Sequence, residues 1–218
     1  MLDRLARDAV SIGVATGVYA VSFGVVSVAA GFSVAQTCVM SLVAFTGASQ
    51  FTFVAVLAAG GSAVTALPPA VLLGVRNGLY AMSLGGVIRR GWWRRPLDAH
   101  LVIDESTAMA LAQPEPAARR RAFVLTAAAV FVCWNVGTLA GALAGDVLAD
   151  PAALGMNAIF PAVFLALVLP RLRTRATVQA AVLGAAIAAA LLPVAPAGVP
   201  VLASALAALP LLRRRDPR

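Results

Sequence analysis

One arginine stands where an apolar chain least accommodates it. Arg76, with Asn77 beside it, falls near the centre of a hydrophobic run covering residues 63–88. A buried arginine costs roughly 2.5–3.5 kcal/mol on membrane-insertion scales, so such a residue marks a site with a partner. Its planar fork of donors can take a carboxylate. An ion pair to Asp104 or Glu105, or capping of carbonyls at a helix break, would use it equally well. The run before it, residues 34–59, is interrupted by Gly47-Ala48-Ser49-Gln50. Ser49 and Gln50 can line a polar site or bond between helices, while Gly47 and Ala48 permit close backbone approach. Phe51, Phe53 and Phe160 could wall an aliphatic side-chain pocket or simply pack. Asp104 and Glu105 are candidate proton carriers if their segment folds into the bundle, and a solvated face otherwise. Asn157, four residues before Pro161, offers a polar wall or satisfies a kinked backbone.

The elements that must position these groups are membrane helices. The chain has 218 residues, 61% hydrophobic and 12% charged, with a mean hydropathy of +0.91. Soluble domains carry about 25% charged residues, so a globular enzyme is excluded and an all-α polytopic bundle is expected. The net charge of +8 comes from 17 basic residues, all arginine. They cluster between apolar runs, as cytoplasmic loops do, which argues against nucleic-acid binding. Cys38 and Cys133 sit inside apolar runs and indicate neither a disulfide framework nor a metal site. The first apolar run is too long for a cleavable signal. The lone His100 lies in a basic loop, where it is expected to be solvated. It leaves Ser49 without the base that an intramembrane protease needs.

Seven spans are expected, at about 9–30, 34–59, 63–88, 122–145, 154–169, 177–192 and 199–212, forming one domain over residues 1–218. Each needs about 20 apolar residues. Breaks are expected at GASQ in the second, at Pro68-Pro69 in the third and near Asn157 in the fifth. Between spans three and four, residues 89–121 form a cytoplasmic or interfacial segment. Within it RRGWWRRP reads as an anchor, and LDAHLVIDESTAMALA as one helix that lies at the interface or folds back. Gly13 and Gly17, and then Gly137, Gly141 and Gly145, form small-residue ridges for tight helix contact. Basic clusters at 89–95, 119–121, 171–175 and 213–218 fall on one side if seven spans are counted. That puts the C-terminus in the cytoplasm and the N-terminus outside. Three spans on either side of span four would suit an inverted repeat, with residues 51–59 and 161–169 sharing a texture.

These residues, in order, resemble a known family. SFGVVSVAAGFS, FTGASQFTFVAVLAAGGS, RNGLYAMSL, IDESTAMAL, CWNVGTLAGALAGD and GMNAIFPAVFLALVLP look like the AzlC family, from about residue 10 to residue 210. That family is the large subunit of two-component branched-chain amino acid exporters. The resemblance implies export of valine, leucine, isoleucine and often methionine across the bacterial inner membrane, driven by the proton-motive force. It also implies a small hydrophobic AzlD-type membrane subunit as partner, with lipid around both and no cofactor. The departures are Asn77, where family members commonly have histidine, and Asn157, where they commonly have aspartate. Both remove a group able to carry a proton, which leaves Asp104, Glu105 or the partner. The competing classes are a non-transporting scaffold or assembly subunit, and a transporter of another small apolar substrate.

Overall fold

The computed structural model describes residues 2–147 and 172–209, together with Leu165, Val168 and Leu169. Every regular element among them is helical. The axis is a pair of long helices, α1 (Leu2–Ala29) and α7 (Pro116–Val147). Small residues let them touch along their length: Gly13 meets Ala129, Gly17 meets Cys133, Gly141 meets Val21 and Gly145 meets Val25. These partners rise together along both chains, so the two helices run parallel. A Cβ at Gly137 or Gly141 would overlap the carbonyl of Gly17 or Val21, so the ridges seat backbone on backbone. Both helices are long and apolar enough to cross a membrane. Their outward faces, with Val10, Val14 and Val18 on α1 and Val132, Val136 and Leu143 on α7, are exposed and apolar. A helix facing water would carry polar residues there.

After α1 the chain turns back as α2 (Val34–Val43), started by a reciprocal cap between Ser33 and Gln36. It descends beside α7: Ser41 bonds Thr138 at 3.2 Å, and Phe45 packs edge-on to Phe131 with centroids 5.0 Å apart. The chain then reverses. Gly47 takes φ 64°, a conformation that favours glycine. Gln50, 2% exposed, closes the break from inside. Its Oε1 accepts from the Gly47 N–H at 3.1 Å, and its Nε2 donates to the Met40 carbonyl at 3.2 Å. α3 (Ala48–Ala58) climbs back, with Phe51 against Tyr19 and Phe23 of α1. Residues 34–59, expected as one interrupted span, are therefore a hairpin that enters and leaves at the same end.

α4 (Ala63–Ser83) begins at a Ser62 cap and runs antiparallel to α7, reaching the opposite end where the Val87 carbonyl accepts from Arg120 at 3.1 Å. The expected break at Pro68-Pro69 does not occur, and the helix continues through both prolines. Pro69 removes the donor that would serve the Thr65 carbonyl. Gly198, at φ 94°, lies over that carbonyl so closely that a Cβ there would stand 2.5 Å from the oxygen.

The following segment, expected as a single helix, is a second hairpin of α5 (Arg94–His100) and α6 (Asp104–Leu111). It folds in from the arginine-rich end because its polar groups find partners. The Asp98 carboxylate is buried and receives both Arg89 and Arg120. The reversal at Leu101–Ile103 is closed by Ser106, whose hydroxyl accepts from the Ile103 N–H at 3.1 Å and donates to the Leu101 carbonyl at 2.8 Å. Val102 and Ile103 are buried in two different apolar clusters. His100 is not simply solvated: its ring lies 6.0 Å from those of Phe45 and Phe131. Trp92 and Trp93 remain exposed.

α1 with its hairpin and α4 with its own run in opposite senses. This inverted arrangement is centred on the meeting of the two hairpins; the repeat expected around span four involves residues 161–169, most of which lie outside the described residues. The parallel packing of α1 and α7 also puts Arg4 and Arg7 at the same end as Arg119–Arg121, against the expectation that the N-terminus lies opposite the arginine clusters. The chain continues with α8 (Arg175–Leu191) and α9 (Val199–Ser204), which ends in a 3-10 turn, Ala205–Ala208. Most of the expected span 154–169 lies outside the described residues.

Candidate functional site

The two hairpin reversals meet halfway along α1 and α7, and a cavity of about 410 Å³ lies between them. Thr46, Gly47 and Ala48 of the first reversal and Ile103, Asp104 and Glu105 of the second line it, with Arg76 from α4. Backbone that leaves helical geometry at this depth is tolerated where it is buried in protein or borders a cavity, and here it does both.

Arg76 joins the two reversals. Its Nη1 stands 3.2 Å from Asp104 Oδ2, and its Nη2 reaches the Thr46 carbonyl at 3.5 Å, the outer limit of a hydrogen bond. Both alternatives to substrate binding, the ion pair and the carbonyl cap, are thus present in this structure. The pair is not sealed: the side chains of Arg76 and Asp104 are 29% and 26% exposed. Asp104 and Glu105 open α6, where the helix dipole favours carboxylates. Their segment folds into the bundle instead of lying on its surface.

The remaining expected site residues divide. Gly47 and Ala48 line the cavity. Gln50 does not, because its amide is committed to closing the reversal. Phe51 is fully buried in an aromatic core with Tyr19, Phe23 and Trp134. Ser49 and Phe53 line a separate apolar groove between α2, α3 and α4. Asn77 lies outside the cavity lining, and its Oδ1 is buried without a hydrogen-bond partner. Asn157 and Phe160 lie outside the described residues. Among the described residues no cluster of His, Cys, Asp and Glu could hold a metal ion.

Among the lining residues that escaped the sequence reading are Tyr19 of α1 and Trp134 of α7. In an apolar run, an uncharged aromatic reads as packing. Their polar ends give them away: Tyr19 Oη and Trp134 Nε1 are buried without a hydrogen-bond partner, a state that calls for an explanation in a native structure.

An arginine, two carboxylates and apolar walls in one cavity suit a small zwitterion with an apolar side chain. Comparison with known proteins bears on the family. An uncharacterized membrane protein of Helicobacter pylori strain 26695 is 28% identical over 127 residues, 57% of this chain and 56% of the relative. A second uncharacterized membrane protein, from Helicobacter pylori strain J99, matches with the same identity and coverage. The chain thus spans just over half the length of these relatives. No solved structure matches. The family described as AzlC protein matches residues 11–148, which include both hairpins and nearly all of the cavity wall. This chain is a membrane protein and belongs to the AzlC family.

Proposed function

We propose that this chain is the large permease subunit of a secondary exporter of branched-chain amino acids, namely valine, leucine, isoleucine and also methionine. It works in the bacterial inner membrane with a small hydrophobic AzlD-type subunit. The observation that carries the reading is the Arg76–Asp104 pair in a mid-depth cavity between two oppositely directed hairpins. Discontinuous helices that meet at the membrane midplane form the binding sites of many secondary transporters. α1, α4 and α7 cross the membrane, and the arginine-rich end faces the cytoplasm by the positive-inside rule.

Arg76 rests on Asp104 at 3.2 Å. An entering amino acid exchanges partners without changing the net charge: its carboxylate takes Arg76, and its ammonium takes Asp104 or Glu105. Ala15, Leu73 and Val130 supply apolar wall for the side chain. The same two carboxylates are the groups of the cavity able to carry a proton, so coupling to the proton-motive force runs through them.

The test is efflux from cells loaded with dipeptides of valine, leucine, isoleucine or methionine. Efflux is expected when this chain is expressed with its small partner, and little with either alone. Absence of efflux of all four, with both proteins verified in the membrane, would contradict the reading and favour an assembly role or another substrate.

A further inference from the structure

We propose that Tyr19 and Trp134 form a donor pair for the carboxylate of the amino acid in this cavity, an assignment that rests on the export reading. Both side chains line the cavity that holds Arg76, and both end in a buried polar atom without a partner. Trp134 is only 5% exposed. An indole N–H can only donate, so nothing but an acceptor satisfies it. The rings cannot turn away to find one elsewhere. Trp134 is stacked on Phe23 at 6.2 Å and meets Phe51 edge-on at 6.4 Å, while Tyr19 lies 5.1 Å from Phe51 and 6.0 Å from Trp134.

The missing acceptor therefore comes with the occupant of the cavity. Arg76, which lines the same cavity, makes an anionic oxygen the fitting one, and Asp104 and Glu105 exclude an occupant that is purely anionic. A carboxylate next to an ammonium meets both conditions. The cation and the two neutral donors then share the carboxylate, so that Arg76 can leave Asp104 without carrying the whole charge alone. An ordered water would satisfy the same two donors, and the experiment separates the cases.

The test uses the purified complex with its small partner and compares the wild type with Tyr19→Phe and Trp134→Phe. Direct binding of valine is measured, and then competition by isobutylamine, which keeps the amine and side chain but lacks the carboxyl. Tyr19→Phe is expected to weaken valine about tenfold, the effect of one hydrogen bond to a charged group. It should leave isobutylamine within about twofold and the ligand-free melting temperature unchanged or higher, because the hydroxyl it removes is unpaired. Trp134→Phe should shift the same ratio in the same direction. Unchanged valine affinity in Tyr19→Phe, or an equal loss for valine and isobutylamine, would overturn the assignment. A wild type that binds no valine would overturn the export reading, and the assignment with it.

Discussion

Arg76→Lys is expected to lower valine efflux about tenfold or more at matched protein in the membrane. Lysine keeps the positive charge and can still pair with Asp104, but it loses the planar fork that grips a carboxylate and a carbonyl together. A hydrogen bond to a charged group contributes about 1.5–3 kcal/mol, and each 1.4 kcal/mol is a factor of ten. Arg76→Ala should be worse in both respects. It removes an ion-pair partner of Asp104 at 3.2 Å, so lost assembly would accompany lost transport. The lysine variant is therefore the informative one. If Arg76 only holds the two reversals together through charge, Arg76→Lys would transport normally, and its role in carboxylate binding would be contradicted.

Asp98→Asn is the variant with the largest expected effect on stability. The Asp98 carboxylate accepts from the Arg89 N–H, Nε and Nη2 and from Arg120 Nη1 and Nη2, at 2.8–3.1 Å. It thereby fixes the second hairpin, which carries Asp104, to the segment that follows α4 and to the first turns of α7. Removing the buried carboxylate strands no buried charge, because both arginines keep access to water. The loss is therefore smaller than for a fully buried pair but still that of several charged hydrogen bonds. Burial pushes the Asp98 carboxyl up, but hydrogen bonds from Arg89 and Arg120 outweigh it and hold it at about 2, below the ordinary 3.8. With the folded value the lower one, the stabilisation is complete above about pH 4 and is lost as pH falls through about 2. Thermal unfolding of the purified protein should show this acid loss in the wild type and not in Asp98→Asn. An equal melting temperature for the two near neutral pH would contradict the clasp.

Much of the site was legible because charge and small residues stand out in an apolar chain. Arg76, Asp104, Glu105, Gly47 and Ala48 all reach one cavity, and the glycine ridges of α1 and α7 do meet. What the sequence hid was direction. A glycine at positive φ can bend a helix or reverse it, and the outcome at Gly47 depends on Gln50 reaching back to Met40 and on aromatics from α1 and α7. Once residues 34–59 turn back, α1 begins at the same end of the bundle as Arg119–Arg121. Pro68-Pro69 misled as well, because α4 continues through both prolines. Nothing in the sequence singles out Asp98 within its basic segment. Only the fold brings Arg120 to it.

The most direct test of the cavity as the amino acid site is protection of a single thiol. Ala48 lines the cavity at the first reversal, so Ala48→Cys, with Cys38 and Cys133 replaced by alanine, places one reporter there. Alkylation of that thiol in the complex should be slowed by valine and unaffected by an equal concentration of lysine. Equal rates with and without valine, at concentrations where binding has been verified, would mean that the substrate sits elsewhere and would contradict the account.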